Sequence, residues 1–184
     1  MSTEYKIYRP PEDEAAEYAD FRKATFVEQA CKAGIPRLAI DAHVEDWGSS
    51  NASDVEAWSG ILASGVEGEK HILGLRADGV VSGIFIAHWN SPLKQCMGDS
   101  YVELIQISET CRGHGIGTML METFLRKTDQ PVWLDVHRKD ERAQSFCRYF
   151  GFIEQSSHVQ RIGSEKVDTI LMKREKREGE TDEI

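Results

Sequence analysis

The segment from residue 103 to residue 118 constrains the fold of this chain more than any other part of the sequence. Its apolar residues predict a strand that ends at Ile107, and helical periodicity begins at Met119. Glycine stands at alternate positions between the two elements, at Gly113, Gly115 and Gly117. Glycine allows positive φ angles and a close approach of the backbone to a ligand. Because backbone N–H groups at a helix N-terminus attract anions, the segment predicts a phosphate-binding turn.

The standard nucleotide-binding fingerprints do not fit this turn. A GxGxxG pattern that starts at Gly113 ends on Thr118, and one that starts at Gly115 ends on Leu120. The GxxxxGK[ST] pattern is absent as well. A nucleotide-binding protein that uses the turn in another way is therefore the least favoured functional hypothesis.

Charge and composition exclude several other classes of protein. The 184 residues include 22 Lys and Arg against 31 Asp and Glu, a formal net charge of −9, which disfavours binding to nucleic acid or to anionic membranes. No apolar run approaches the roughly 20 residues that span a bilayer, and the first residues lack a signal-peptide pattern. The four cysteines have no paired spacing, so we expect reduced thiols, no metal site and a cytoplasmic location.

The order of predicted elements favours one mixed domain without repeats or linkers. Strands are predicted at residues 5–9, 71–76, 80–89, 101–107, 132–136, 159–162 and 167–172. Helices are predicted at residues 11–33, from 53 or 54 to Gly65 and Gly68, and at 119–127 and 140–150, whereas residues 35–52 are ambiguous. The domain is expected to span residues 1–172, and the charged residues 173–184 are expected to form a disordered tail.

Two blocks of the sequence resemble a known family. Arg112, Gly115 and Gly117 occupy the fixed positions of the Arg/Gln-x-x-Gly-x-Gly/Ala signature of the GNAT family, the Gcn5-related N-acetyltransferases. The segment 140–152 resembles the Asn-x-x-Ala-x-x-x-Tyr-x-x-x-Gly-Phe helix ending of the same family. The resemblance covers about residues 70–172 and implies that residues 71–172 bind acyl-CoA, whereas residues 1–70 build the acceptor side.

The resemblance also implies a fold. We expect an α/β (α+β) architecture with a mixed, mostly antiparallel sheet of six or seven strands and helices on both faces. The strands at 101–107 and 132–136 are expected to be parallel and to splay apart, which opens a wedge for the arm of the cofactor.

The family likewise implies a set of contacts to acetyl-CoA as co-substrate. Its pyrophosphate is expected on the backbone amides of Arg112, Gly113, His114, Gly115, Ile116, Gly117 and Thr118. Its pantetheine arm is expected to pair with Ile105, Gln106 and Ile107, and an N–H near Ile107 is expected to polarise the thioester carbonyl.

The chain departs from the family pattern at two positions. Asp140 stands where the family has an asparagine that touches the cofactor arm, so it is either a cofactor contact or, as we favour, a helix cap. Cys147 stands where the family has a tyrosine that protonates the departing thiolate. Cys147 is therefore either a proton donor or a buried thiol that fills space.

Transfer to an amine also needs a base, because an alkyl ammonium with a pKa near 10 is mostly protonated at neutral pH. Glu103 is the first candidate, on the assumption that it shares a face with Ile105 and Ile107, and His88 is the second. The alternative for Glu103 is a structural carboxylate.

These observations favour an acetyltransferase that moves an acetyl group directly to a primary amine in a ternary complex. Residues 1–70 carry 7 basic and 14 acidic side chains, whereas residues 104–148 carry 7 and 6, which favours a small cationic acceptor and an anionic cofactor. A protein N-terminus or lysine is the alternative acceptor. A non-catalytic acyl-CoA sensor is the alternative function, and a homodimer is possible.

Overall fold

A computed structural model describes residues 3–47 and 51–176 of the chain. The strands are β1 (Tyr5–Tyr8), β2 (Lys70–Ala77), β3 (Val80–His88), β4 (Ser100–Ile107), β5 (Val132–His137), β6 (Ile153–Ile162) and β7 (Glu165–Arg174). The α-helices are α1 (Ala15–Lys32), α2 (Arg37–Trp47), α3 (Asn51–Glu67), α4 (Ile116–Leu125) and α5 (Glu141–Tyr149). Single 3-10 turns precede α1, β4 and α4. No helix within the described ranges is long and apolar enough to cross a membrane.

All seven strands form one sheet in the order β1-β2-β3-β4-β5-β7-β6. Every neighbouring pair is antiparallel except β4 and β5, which are parallel. The pairing of β4 with β5 covers only the segments 100–102 and 132–134, so the two strands separate beyond Val102 and Leu134. This confirms the mixed α/β fold and the predicted splay of the two parallel strands.

Helices cover both faces of the sheet. On one face, α4 and α5 bury a core with β5 and β7 that includes Leu120, Phe124 and Phe152. On the other face, α1 and α3 pack on β2 and β3 around Tyr18 and Leu62. A smaller cluster joins the end of α1 to α2 and to Ile162 of β6. The splayed ends of β4 and β5 therefore lie between two separately packed layers.

The turn between β2 and β3 could be predicted because its own residues determine its backbone conformation. Asp78 and Gly79 both have positive φ, at 48° and 82°. Such a pair fits a two-residue turn whose twist matches that of the flanking strands. The sequence prediction of a hairpin around Ala77, Asp78 and Gly79 is therefore confirmed.

The structure resolves an ambiguous segment and corrects two predicted boundaries. The ambiguous segment 35–52 contains α2. Helix α3 runs past Gly65 to Glu67, so of the two glycines predicted to end it only Gly68, with a φ of 86°, does so. Lys173 and Arg174 belong to β7 rather than to a tail, and Arg174 Nε donates a buried hydrogen bond of 3.1 Å to the carbonyl of Phe150. The rest of the predicted tail, from residue 177 onward, lies outside the described residues.

Candidate active site

The glycine turn, which comprises residues 112–118, follows β4 after the 3-10 turn Glu109–Cys111 and includes the first residues of α4. Gly113 and Gly115 have φ angles of 84° and 76°, and a Cβ built on either would meet no atom within 4 Å. Both glycines are thus required by backbone conformation, and they leave the space in front of the turn open. At Gly117 a Cβ would lie 3.3 Å from Ile107 Cδ1, a tight contact that a small shift of the isoleucine side chain would have to relieve.

The geometry of the turn fits a pyrophosphate. The first N–H groups of a helix have no partner within the helix, and here they belong to Ile116, Gly117 and Thr118. They open onto the space that Gly113 and Gly115 leave free, at the positive end of the α4 dipole. His114 lies in the turn with its ring 6.0 Å from that of Tyr5.

The side chain of Arg112 points away from the open side of the turn. Its Nε donates a hydrogen bond of 2.8 Å to the carbonyl of Ile107, and its Nη1 donates one of 2.8 Å to Glu28 of α1. Although partial burial opposes the shift, Lys32 and Arg112 together hold the pKa of Glu28 below its ordinary value. Arg112 therefore fastens the end of β4 to α1. Its backbone N–H donates a hydrogen bond of 3.2 Å to the carbonyl of Glu109, so the predicted contact of the Arg112 amide with the pyrophosphate is wrong, and the later amides of the turn are left for an anion.

The wedge between β4 and β5 begins beyond Val102 and Leu134. The predicted cofactor-pairing residues 105–107 lie on the β4 side of this wedge, and only residues 108–111 separate them from the glycine turn. Ile105 and Ile107 pack toward the core beneath α4 and α5. The buried side chain of Gln106 instead approaches α1, where its Nε2 lies 3.4 Å from Gln29 Oε1.

A β-bulge sets the direction of Glu103. In the ladder with β3, Leu104 pairs with Ile86 but Val102 pairs with Ala87, so Glu103 is one extra residue. The sequence prediction that Glu103 shares a face with Ile105 and Ile107 was wrong, because the bulge shifts the alternation of β4.

Glu103 instead points toward the face that α1 covers. Its Oε2 accepts hydrogen bonds from His88 Nε2 at 2.6 Å and from Lys70 Nζ at 3.1 Å. Burial lowers the pKa of Arg22 in α1 to about 10, and the negative charge of Glu103 opposes that shift. Glu103 and His88, the two predicted base candidates, are thus brought into direct contact.

The pKa of Glu103 indicates which residue of this pair can accept a proton. The hydrogen bond from His88, together with the charge of Lys70 and the hydrogen bond from it, lowers the pKa of Glu103 to about 2, against the effect of burial. A carboxylate with such a pKa stays ionised and is a weak proton acceptor. Because Nε2–H of His88 donates to this carboxylate, Nδ1 carries the lone pair that can accept a proton.

Cys147 lies in α5 on the opposite face of the sheet from Glu103. Its side chain is buried in the core beneath α4 and α5. Burial raises the pKa of the Cys147 thiol to about 12, and the charge of Asp140 adds to this effect. An alkyl thiol has a pKa of about 8.5, so proton transfer from Cys147 to a departing thiolate is uphill.

Asp140 caps α5, as the sequence analysis favoured. Its carboxylate accepts a hydrogen bond of 2.9 Å from the N–H of Ala143, three residues further on. A contact from Asp140 to the cofactor stays a prediction.

Sequence reasoning missed a polar group at the start of the wedge. Tyr101 of β4 donates a hydrogen bond of 3.1 Å to Asp135 Oδ2 of β5, and His158 of β6 lies 3.9 Å from the same oxygen. In the sequence Asp135 stands between the apolar residues Leu134 and Val136, and this alternation indicates that the side chain of Asp135 faces away from the core. The partners were not predictable, because they depend on the register between strands that are distant in sequence.

Comparisons with known proteins identify the family and the fold. The model of the acetyltransferase (GNAT) family matches residues 33–152. A PaiA N-acetyltransferase from Thermoplasma acidophilum in complex with coenzyme A superposes with a TM-score of 0.72 at 15% identity, covering 95% of this chain and 99% of that one. YncA, a putative acetyltransferase from Salmonella typhimurium with acetyl-CoA, gives a TM-score of 0.66 at 13% identity and covers 95% of both chains.

A third structure, an N-acetyltransferase from Staphylococcus aureus Mu50, gives a TM-score of 0.68 at 11% identity, with 95% and 99% of the two chains covered. At such identities the three structures show the fold alone, whereas the family match spans more than half of the 184 residues. The chain therefore belongs to the GNAT family of acetyltransferases.

Proposed function

We propose that the protein transfers an acetyl group from acetyl-CoA to a small cationic primary amine, by direct attack within a ternary complex. One observation carries this proposal. The wedge between β4 and β5 has the glycine turn at the end of β4 and the His88–Glu103 pair at the bulge where the wedge begins. Strand β4 thus leads from the His88–Glu103 pair, along a strand edge that β5 leaves unpaired, toward the anion site of the glycine turn.

The glycine turn and β4 serve the acyl donor in this proposal. The amides of residues 113–118 bind the pyrophosphate, and residues 105–107 pair with the pantetheine arm. An N–H near Ile107 donates to the thioester oxygen as it becomes negative. One such donor contributes about 3–4 kcal/mol where oxyanion sites have been measured.

His88 and Glu103 serve the acceptor. His88 takes a proton from the ammonium group, and the ionised Glu103 stabilises the imidazolium that results. The free amine attacks the thioester carbon, and the tetrahedral intermediate then breaks its C–S bond. The departing thiolate receives the second proton of the amine nitrogen, so no proton from Cys147 is needed.

The acceptor class rests on charge. Residues 1–70 carry twice as many acidic as basic side chains, and α1 and α3 of this segment pack on β2 and β3, on the face of the sheet that Glu103 approaches. Such a surface attracts cations. A protein N-terminus or a lysine side chain is the alternative acceptor.

Release of free coenzyme A thiol from acetyl-CoA tests the proposal directly. The panel of acceptors contains diamines, aminoglycosides, amino acids, lysine peptides and peptides with free N-termini. We expect release that depends on a small cationic amine. Preference for a peptide would favour the protein acceptor.

A second function, a non-catalytic acyl-CoA sensor, is favoured by Cys147 in the position of the family's tyrosine. Its signature is thermal stabilisation by acetyl-CoA without release of thiol for any acceptor. That result would overturn the proposed transferase.

A further inference from the structure

Asp135 occupies a distinctive position in the sheet. It is the first residue of β5 beyond the segment that pairs with β4, so it lies where the wedge begins. Leu134 and Val136 point into the core beneath α4 and α5, and Asp135 therefore points to the opposite face, the one from which the His88–Glu103 pair is reached.

The carboxylate of Asp135 is only partly satisfied. Oδ2 accepts the hydrogen bond from Tyr101, whereas Oδ1 is buried and has no hydrogen-bond partner within the described part of the chain. His158, at 3.9 Å, is the only basic side chain within ion-pair distance among these residues, and it carries charge only when protonated. A buried carboxylate oxygen without a partner costs free energy, so its presence needs an explanation.

A purely structural role does not require a charge at this position. The hydroxyl of Tyr101 needs one oxygen acceptor, which a neutral asparagine would also provide. Burial raises the pKa of Asp135, although the charges of His158 and His137 and the hydrogen bond from Tyr101 oppose the shift. The unpartnered Oδ1 is therefore the atom that a cationic ligand could bind.

Tyr101 connects this carboxylate to the proposed base. Tyr101 and His88 are directly paired across β3 and β4, with their rings 6.3 Å apart. The point where the wedge begins thus lies between the His88–Glu103 pair, on the β4 side, and Asp135, on the β5 side. The Asp135 side chain keeps 16% of its surface exposed there.

We propose that Asp135 determines acceptor specificity by binding a second positive charge of the acceptor. The preferred acceptors are then diamines, or amines with another cationic group, and one ammonium is acetylated while the other is held by Asp135. This inference rests on the proposed acetyltransferase function.

The test compares diaminobutane with butylamine, which share the reacting amine and differ in the second charge. In the Asp135→Asn variant the oxygen that accepts from Tyr101 is retained and only the charge is lost. We expect kcat/KM for diaminobutane to fall by about ten- to a hundredfold, the effect of one charge-assisted hydrogen bond, and kcat/KM for butylamine to stay unchanged.

Asp168→Asn is the matched control, because Asp168 is exposed on β7 and the substitution makes the same change in net charge. It should leave both acceptors unaffected. An equal loss for both amines in Asp135→Asn would overturn the inference and indicate a structural role. The wild-type protein gives an independent readout, since a diaminobutane to butylamine ratio near one would overturn the inference even if the variant did not fold. Absence of turnover with every amine would instead refute the proposed function.

Discussion

At the residue scale, contact between His88 and Glu103 gives the two side chains different tasks. Glu103, with a pKa of about 2, stays ionised at every pH at which the enzyme would be assayed. It orients His88 and balances the imidazolium charge, and it does not itself accept the proton. The bulge at Glu103 makes this contact possible, because it turns the carboxylate toward β3 and β2.

Exchange of each member for glutamine tests this division. His88→Gln should lower kcat/KM by about a hundredfold or more, the usual contribution of a general base, and should leave acetyl-CoA affinity unchanged. Glu103→Gln keeps the shape of the pair and should cost less. A larger loss in Glu103→Gln than in His88→Gln would show that Glu103 is the base.

Cys147 illustrates how burial decides between chemistry and packing. Because its pKa is raised to about 12, the thiol keeps its proton and acts as a small apolar side chain. Cys147→Ala should lower the free energy of unfolding by about 1 kcal/mol through lost packing and change kcat by less than about threefold. A drop in kcat of two orders of magnitude with the fold intact would identify Cys147 as the proton donor.

At the scale of elements, the glycine turn and α3 offer a matched pair of substitutions. Gly115 has a φ of 76°, whereas Gly60 of α3 has an ordinary helical backbone, and neither position has an atom within 4 Å of an added Cβ. Gly115→Ala should therefore destabilise the protein by about 1 kcal/mol and weaken acetyl-CoA binding. Gly60→Ala should raise the free energy of unfolding by about 0.5–1 kcal/mol.

Chemical denaturation and calorimetric titration with acetyl-CoA measure both effects. Equal destabilisation by the two substitutions would show that the turn is not strained. Unchanged acetyl-CoA affinity in Gly115→Ala would remove the turn from the cofactor site.

The elements that the sequence predicted best are those defined by local chemistry. Positive φ at Asp78 and Gly79 fixes one hairpin, and the glycine turn fixes the junction of β4 and α4. The bulge at Glu103 could not be predicted, because an extra residue in β4 becomes visible only against its partner β3. Helix α2 was also missed, since much of its apolar contact is with α1 and with β6, a strand distant in sequence.

At the scale of the whole molecule, the family resemblance implied the mixed sheet. The positions of the site residues nevertheless depend on pairing between strands that are distant in sequence. Strand β7 lies between β5 and β6, an order that no periodicity in the sequence indicates. This order brings His158 of β6 close to Asp135 of β5. Glu103 and His88 could be named from the sequence as alternative bases, but neither their contact nor the carboxylate on the other side of the wedge could be predicted.

A buried histidine makes the stability of the whole domain sensitive to acid. His71 is enclosed by Phe85, Trp89 and Phe124, with ring centroids at 5.3–6.1 Å. Burial, helped by the charges of Lys127 and Arg9, lowers the pKa of His71 to about 4, whereas an unfolded chain has a histidine pKa near 6.5. Between these values the unfolded state takes up a proton that the native state excludes, so stability falls as pH falls from about 6.5 to about 4.

Replacement of His71 by leucine removes this titration. The free energy of unfolding, measured by denaturant titration across that pH range, should therefore decline less steeply in His71→Leu than in the wild type. The same slope in both proteins would mean that His71 is protonated in the folded state.

The most direct test of the account is to follow the acetyl group. The protein is mixed with acetyl-CoA, with and without diaminobutane, and mass spectrometry measures acetylation of the intact protein and of the diamine. These two readouts distinguish direct transfer from a covalent intermediate and from mere binding. We predict no acetylated protein in the absence of amine, and acetylated diaminobutane on its addition, formed much more slowly by His88→Gln. An acetyl group attached to the protein at Cys147, or binding of acetyl-CoA without any acetylated amine, would contradict the account.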